Sequence, residues 1–405
     1  MILSLYSERT NSGGTMPINN NMFQKNTNTA LVTETIWRKG EISRVDISRS
    51  LHLYRSTVTN IISFLLDSGV VLEGETTGSP SQGGRKPILL RINDEFGCVF
   101  GIDIQPSHYR IAILSLSGKT LYVEKGSLGN VSFEEMVWAL LQKAFRTHGD
   151  RVTTPVLAIC FSIPGVISGT TGEIIYSNPF KLEKFNLRNF VRSRYDFPVY
   201  VENDANCAAW WDLVKYEHHE NENAIVLVAD YHEDTNLFND RIGIGLGIGV
   251  LIDGKVYHGS HFKAGEFCSV SWYKGNETQN GLPVELLKKT IDDEEAYRSW
   301  FRDTMISFVP LLVVMDFKCM ILHGKPFADR EKVLETIRKE TPTLFDALEF
   351  AGTELIFDYE NDMVGAKGAA MMFLSRIFSV PDLMGNSDIP SWDELISFAN
   401  RQKRF

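Results

Sequence analysis

The chain writes the same strand meander twice. Residues 98–125 read as three strands, CVFGIDI, YRIAILSL and TLYVEKG, with Ser117-Gly118-Lys119 turning the last two. The pattern returns as AIVLVAD (224–230), IGIGLGIGVLI (242–252) and KVYHG (255–259), turned at Asp253-Gly254-Lys255. Each set leads into alternating strand and helix material. Two such copies point to an internally duplicated, two-lobed α/β body, and ligands commonly bind in the cleft between such lobes. Helical spacing recurs at 133–147, 204–217, 283–303, 330–340 and 362–377. Residues 391–405 read as a last amphipathic helix with the basic tip RQKRF.

A different unit precedes the repeat. Residues 1–28, rich in Asn, Thr, Ser and Gly, have little to bury and read as a flexible arm. Residues 29–68 read as three short helices. The first carries Leu31, Val32, Thr35 and Ile36 and stops at Gly40. The second opens at Ser43 with Asp46 three residues on, a start like a capping box, and is expected to bury Val45, Ile47 and Leu51. The third places Val58, Ile61, Ile62, Leu65 and Leu66 on one stripe and ends at Gly69. Two β-like runs (70–75 and 87–92) then flank a Gly/Ser/Pro turn, as in a wing. Three helices and a wing make a winged helix-turn-helix over residues 29–92.

In such a unit the last helix enters the major groove. Its first turns offer Tyr54, Arg55, Ser56, Thr57, Thr59 and Asn60. Arg55 suits guanine and Asn60 adenine, while Ser56 and Thr57 either cap the helix or hold phosphate. Arg44 and Arg49 on the bracing helix suit phosphates, which set register rather than sequence. The basic segment 83–87, Gly83-Gly84-Arg85-Lys86-Pro87, either places Arg85 and Lys86 in a minor groove or serves as a linker. The charge distribution reads either as a head that meets a polyanion or as ordinary scatter. Residues 1–92 hold 10 Lys+Arg against 7 Asp+Glu, and the remainder holds 31 against 44.

At 405 residues, 43% apolar and 23% charged, the chain is long enough for two or three globular domains and too well mixed to be fibrous or mostly disordered. No apolar run is long enough to span a bilayer, and the first residues lack the marks of a signal peptide. Five scattered cysteines without a C-x-x-C pair suit reduced thiols in a cytoplasmic protein.

The winged head ending in Gly-Arg-Lys-Pro, then IPGVIS (163–168), VENDANCAAW (201–210), GIGLGIGVLIDGKVYHG (243–259) and AGEF (264–267), together resemble the ROK family of repressors, open reading frames and sugar kinases. VENDANCAA is the most specific piece, and the resemblance runs from about residue 29 to about 377. It implies an actin/hexokinase-like ATPase fold, with 93–215 plus 365–405 as the first lobe and 216–364 as the second. It also implies a sugar between the lobes in those members that bind one. Asn203 and Asp204 match sugar-hydroxyl ligands, Asp204 matching as well the general base of the kinases. Glu266 matches a sugar-contacting carboxylate, and Pro164-Gly165 a loop lining the same cleft. For Asn203 and Asp204 the alternative use is a strand-end turn with Asp204 as helix N-cap.

The departures from the family pattern are chemical. Kinase members carry Asp-x-Gly-x-Thr on the first strand to cradle ATP phosphates. Here the stretch is Asp103-Ile104-Gln105-Pro106-Ser107-His108, without the glycine or the threonine hydroxyl. The second phosphate loop is Gly243-Ile244-Gly245, also without a hydroxyl, and the later Gly-Gly turn is Leu322-His323-Gly324-Lys325. The family's zinc pattern of one histidine and clustered cysteines is reduced to Cys268, followed by Ser269; one thiol cannot make a four-ligand site. His258 and His261 read as surface or loop residues, Glu285 as a weak stand-in for a second sugar glutamate, and Trp272 and Tyr273 as core packing or a sugar-stacking face.

The expectation is therefore a DNA-binding transcriptional regulator, a repressor of carbohydrate genes. Its partners are an operator duplex and a sugar effector, and it works as a homodimer or higher oligomer. No catalytic residue, metal or cofactor is expected. The alternatives are a sugar kinase with a fused head, or a regulator whose body is only a dimerisation scaffold.

Overall fold

The computed structural model describes residues 20–74, 87–129, 131–216, 223–232, 243–276, 278–358, 362–380 and 389–403. The head is built from α1 (Asn20–Lys39), β1 (Ile42–Ser43), α2 (Arg44–Ser50), α3 (Arg55–Asp67), β2 (Val71–Glu73) and β3 (Leu89–Ile92). α1 begins inside the stretch read as an arm. It ends with Arg38 and Lys39 in its last turn, where cations suit the helix dipole, and Gly40 follows at φ +69°. Ser43 caps α2 by accepting from the Asp46 amide. Ile47 is fully buried but Val45 is 41% exposed, so the two-turn α2 buries a narrower face than expected. α3 buries Val58, Ile61, Ile62 and Leu65 as its spacing predicts. The strands order as β1-β3-β2, a small antiparallel wing sheet. The wing turn and residues 83–86 of the basic segment, including Arg85 and Lys86, lie outside the described residues.

The first lobe comprises β4 (Cys98–Ile104), β5 (Tyr109–Ser115), β6 (Thr120–Gly126), α4 (Phe133–Arg151), β7 (Val156–Ile163), β8 (Val166–Ser168), β9 (Glu173–Ser177), β10 (Leu182–Asn186), α5 (Leu187–Arg192), β11 (Val199–Asn203) and α6 (Asp204–Lys215). The second comprises β12 (Ala224–His232), β13 (Gly243–Ile252), β14 (Lys255–Val256), α7 (Val284–Leu287), α8 (Glu294–Met305), α9 (Val309–Met315), β15 (Cys319–His323), α10 (Arg330–Glu340), α11 (Pro342–Ala351) and β16 (Glu354–Phe357). α12 (Val364–Phe378) and α13 (Trp392–Gln402) close the chain. The single helix expected over 283–303 is two, because Asp293 leaves the helix to cap α8 through the Ala296 amide.

The duplication holds at the level of topology. The five-stranded sheets run β6-β5-β4-β7-β11 and β14-β13-β12-β15-β16, each with two antiparallel pairings followed by two parallel ones. β4 and β7 are buried throughout, as central strands covered on both faces must be.

Two helices cross between the lobes. α6 leaves the first lobe and packs on β13, where a Cβ on Gly249 would meet the Ala205 carbonyl oxygen at 2.7 Å. α12 leaves the second lobe and returns to β4, where a Cβ on Gly101 would lie 1.9 Å from the Ala366 oxygen. The helices themselves touch at Gly368, whose missing Cβ would lie 1.8 Å from the Cys207 oxygen. The far end of α12 carries the head, since Phe378 stacks on Trp37 at 4.7 Å and Trp37 Nε1 donates to the Ser117 oxygen.

Candidate ligand cleft and DNA-reading face

A cleft of about 640 Å³ opens between the lobes. Its walls come from the ends of β4, β7, β11 and β13, the first turns of α6 and α12, and the Gly265-Glu266 turn. All five residues assigned to a sugar, Pro164, Gly165, Asn203, Asp204 and Glu266, line it.

The local sequence explains their placement. Asn203 ends β11 and is the N-cap of α6, its side-chain oxygen accepting from the Ala205 and Asn206 amides. The cap is thus Asn203, and Asp204 is the first helical residue, the reverse of the capping alternative considered above. Asn203 Nδ2 also donates to the Gly165 oxygen at 2.9 Å, which leaves one amide hydrogen for a ligand. Gly165 has φ +132°, and a Cβ there would meet the Tyr176 oxygen at 2.5 Å, so this turn requires glycine. Gly265 is fixed in the same way, φ +90° against the Ile248 oxygen, and it presents Glu266, which accepts from Tyr176 Oη at 3.4 Å.

Five carboxylates line the cleft: Asp103, Asp204, Asp230, Glu266 and Asp362. Asp103 is buried and receives Arg110 at 2.8 Å and Ser162 at 2.7 Å. Gln105 Nε2 lies 3.2 Å from both Asp103 Oδ1 and Asp204 Oδ2 and joins them. Burial, then the charges of Asp103 and Glu266, pushes the Asp204 carboxyl up to about 6, although Gln105 and the Ala205 amide pull the other way. Arg110 continues to Asp230 of the opposite lobe, 3.9 Å away. Arg110 and Asp230 carried no motif signal; Arg110 is simply one residue on β5.

The positions that replace the kinase phosphate loops are committed to structure. Gly243-Ile244-Gly245 is strand from its first residue, in register with His232, Tyr231 and Asp230. Gly324, φ +102°, presses on the Ala229 oxygen. His323 is buried and bonds Asp212 at 2.7 Å through Nε2 and the Asp358 carbonyl at 3.1 Å through Nδ1. Asp212, His323 and Asp358 could together hold a cation. Lys215 already takes Asp358 at 2.8 Å, and two carboxylates face one imidazole and one ammonium, so the cluster balances its own charge with His323 protonated.

Three residues depart from expectation, and a fourth in part. His258 lies in a loop, as expected, but its ring turns inward: its Nε2 lies 2.7 Å from Glu202, a fully buried carboxylate that also accepts from the Asn203 amide and Asn206. Glu202 sits inside VENDAN, where no spacing or motif position in the sequence distinguishes it from a plain strand residue. Glu285 is exposed, pairs with Lys288 and does not line the cleft. Trp272 and Tyr273, 38% and 62% exposed, are neither core nor cleft. His261 is exposed, as expected.

On the head, Tyr54 is the N-cap of α3, 85% exposed, and no side chain caps this helix. Ser56 and Thr57 are therefore not caps. Arg55, Ser56, Thr59 and Asn60 are exposed and Thr57 is half-buried, with Thr59 Oγ1 turned back to the Arg55 carbonyl. Arg44 pairs with Glu73 and Arg49 with Asp46, both near the surface.

The ROK family model matches residues 99–271. A xylose repressor of Caldicellulosiruptor bescii is 28% identical over 251 residues, 61% of this chain and 59% of that protein. Over these residues the chain is similar to ROK-family proteins. The xylose repressor of Bacillus subtilis is 26% identical over 62% of both chains, and the Escherichia coli DNA-binding transcriptional dual regulator NagC is 25% identical over 63% of this chain and 59% of its own. The matched stretch thus spans about three-fifths of these relatives. A ROK family transcriptional regulator described as a homolog of the E. coli MLC protein superposes with a TM-score of 0.67 at 16% identity, covering 90% of this chain and 99% of its own. A Streptococcus pneumoniae ROK family protein in complex with sucrose gives 0.52 at 21%, covering 69% of this chain and 98% of its own. The ROK body is thus the two-lobed, actin-like fold of the sugar kinases, with a helical region added at its N-terminus. Among the described residues no helix is long and apolar enough to cross a membrane.

Proposed function

We propose that the chain is a transcriptional regulator, most directly a repressor of carbohydrate-use genes, whose ROK cleft binds a sugar effector. The observation that carries this reading is α12. Its first residues, Val364 and Gly365, line the cleft, and its last, Phe378, stacks on Trp37 of the head. One rigid 15-residue helix, about 22 Å long, therefore runs from the ligand to the DNA reader. Sugar hydroxyls donate to Asp204 and Glu266, the lobes close about α6 and α12, and the head moves with the end of α12. Only a ligand that binds the closed form better shifts that equilibrium. Arg55 and Asn60 read base edges, Tyr54, Ser56, Thr57 and Thr59 fill out the groove contact, and Arg44 and Arg49 set register on phosphates. A two-fold dimer matches paired half-sites.

The kinase alternative meets a specific obstacle. Arg110 pairs with Asp103, and Gln105 stands where the kinase pattern has a phosphate-admitting glycine, which argues against a nucleotide cradle on this strand. A coupled assay with ATP and a sugar panel tests this and should give no turnover. Thermal shifts against the same panel test effector binding. A specific sugar at 100 times its Kd adds about 2.7 kcal/mol, and a flat response across the panel supports the scaffold reading instead.

A further inference from the structure

Two walls of the cleft meet on one buried carboxylate that does not itself line it. Glu202, in β11, is fully buried. Its Oε1 accepts from the Asn203 amide at 2.9 Å and from Asn206 Nδ2 at 3.1 Å. Asn203 and Asn206 line the cleft and flank Asp204 in the chain. Its Oε2 faces the other lobe, where His258 Nε2 lies 2.7 Å away. Arg376 of α12 stands further off, at 3.9 Å. An ionised carboxylate has lone pairs enough for all of these partners, so Glu202 serves both walls at once.

His258 in turn anchors the loop that carries Glu266. Its carbonyl accepts from the Ala264 amide at 3.2 Å, and the Lys263 carbonyl accepts from the Glu266 amide at 3.2 Å. The loop between them is tight: Gly259 has φ +69°, and Phe262, which is no glycine, has φ +58°. A left-handed conformation at such a residue costs about 1–3 kcal/mol and persists only where its surroundings hold it. The His258 ring is one such neighbour, meeting the Phe262 ring edge-on with centroids 6.5 Å apart. Phe262, Ala264 and Glu266 then line the cleft from the second lobe, as Asn203, Asp204 and Asn206 do from the first. Tyr176 also crosses to Glu266, but at 3.4 Å and near the surface it is the weaker tie.

We propose that Glu202 and His258 are positioning residues of the ligand site. One oxygen of Glu202 fixes the Asn203–Asp204 wall and the other fixes, through His258, the Glu266 wall, so the pair sets the gap that a ligand spans. Neither residue touches the ligand; each acts through the residues that do. The effect on sugar affinity rests on the sugar-binding reading of the cleft, whereas the coupling of the two walls does not.

The test uses the full chain. Amide hydrogen exchange is followed without ligand in peptides spanning 199–206 and 257–267, for wild type, His258→Ala and the isosteric Glu202→Gln, with α3 as the reference for an intact fold. Each substitution should speed exchange about tenfold in the wall it does not belong to, His258→Ala at the Asn203 amide and Glu202→Gln at the Ala264 amide, while α3 keeps its protection. Binding of D-xylose and D-glucose is read in parallel by calorimetry. A sugar that binds wild type should bind either variant about tenfold more weakly, and the double variant no more weakly than the worse single one, because both substitutions break one contact. Exchange that crosses between the walls in a chain that binds neither sugar supports the positioning role and counts against the sugar reading alone. Exchange that changes only in the substituted wall, exchange that rises equally in α3, or a sugar affinity equal to wild type in both variants would each overturn the proposal.

Discussion

Arg110 Nη1 rests 2.8 Å from Asp103 Oδ2, a carboxylate that is 1% exposed at the floor of the cleft. The same guanidinium faces Asp230 across the cleft. A cation supplied by the chain itself therefore stands beside the first-strand aspartate and ties one lobe to the other. Arg110→Ala leaves Asp103 buried with only Ser162 and Gln105 as donors. The expected loss is about 3 kcal/mol of unfolding free energy, the usual cost of stripping one partner from a buried pair, read from urea denaturation. A loss below about 1 kcal/mol would mean that Arg110 is not holding Asp103.

Asp204 gives the cleft a pH signature. Its folded carboxyl titrates near 6, above the unfolded value of about 3.9. Between those values the native state binds the extra proton, so this group favours folding as the pH falls and opposes it as the pH rises. Ligand binding runs the other way, because a protonated carboxyl accepts fewer hydroxyl bonds. Effector affinity measured by calorimetry should fall as the pH drops through about 6, and Asp204→Asn should flatten that dependence.

Glu202 and His258 form a second pH-dependent pair. Burial raises the Glu202 carboxyl, but His258, Arg376 and Asn206 outweigh it and hold it below its ordinary value. Burial lowers His258, but Glu202 outweighs it and raises the imidazole. The Glu202 contribution is present above about pH 4.3 and lost as the pH falls through the lowered value; that of His258 is present below about 6.5 and lost as the pH rises through the raised one. Wild type should exceed His258→Gln by about 3 kcal/mol between roughly pH 4.5 and 6.5. The gap should narrow toward pH 9 in denaturant melts.

How much of this was legible in the chain follows physical lines. The strand meanders, the α3 stripe and the Ser43 cap are local patterns, and each appears where spacing placed it. The shared sheet order follows from the repeat. Relations across the fold were not legible. Arg110 meets Asp103 because β4 and β5 are adjacent strands, and His258 meets Glu202 because a loop of the second lobe folds over the first. Trp272 and Tyr273 look like core residues in composition and lie on the surface. Asn203 rather than Asp204 caps α6 because β11 runs straight into the helix, with no turn residue between Asn203 and Asp204.

The DNA contacts proposed for the head are of two kinds. Arg55→Ala should weaken operator binding by about 1–3 kcal/mol and relax preference at one base position. Arg49→Ala should weaken all sequences alike and reduce the salt slope by about 1. Competition binding against a randomised duplex library distinguishes them. A uniform loss for Arg55→Ala would reassign it to phosphate.

The central claim is that a sugar in the ROK cleft controls a DNA reader at the other end of α12. The most direct measurement is binding of the full chain to fragments of its own genome, by mobility shift at modest salt, with and without a sugar panel, for wild type and Asp204→Ala. The account predicts specific capture of a fragment, a change in that capture by at least one sugar, and loss of the sugar response with capture intact in the variant. Failure to capture any fragment, or a sugar response that survives Asp204→Ala, would contradict it.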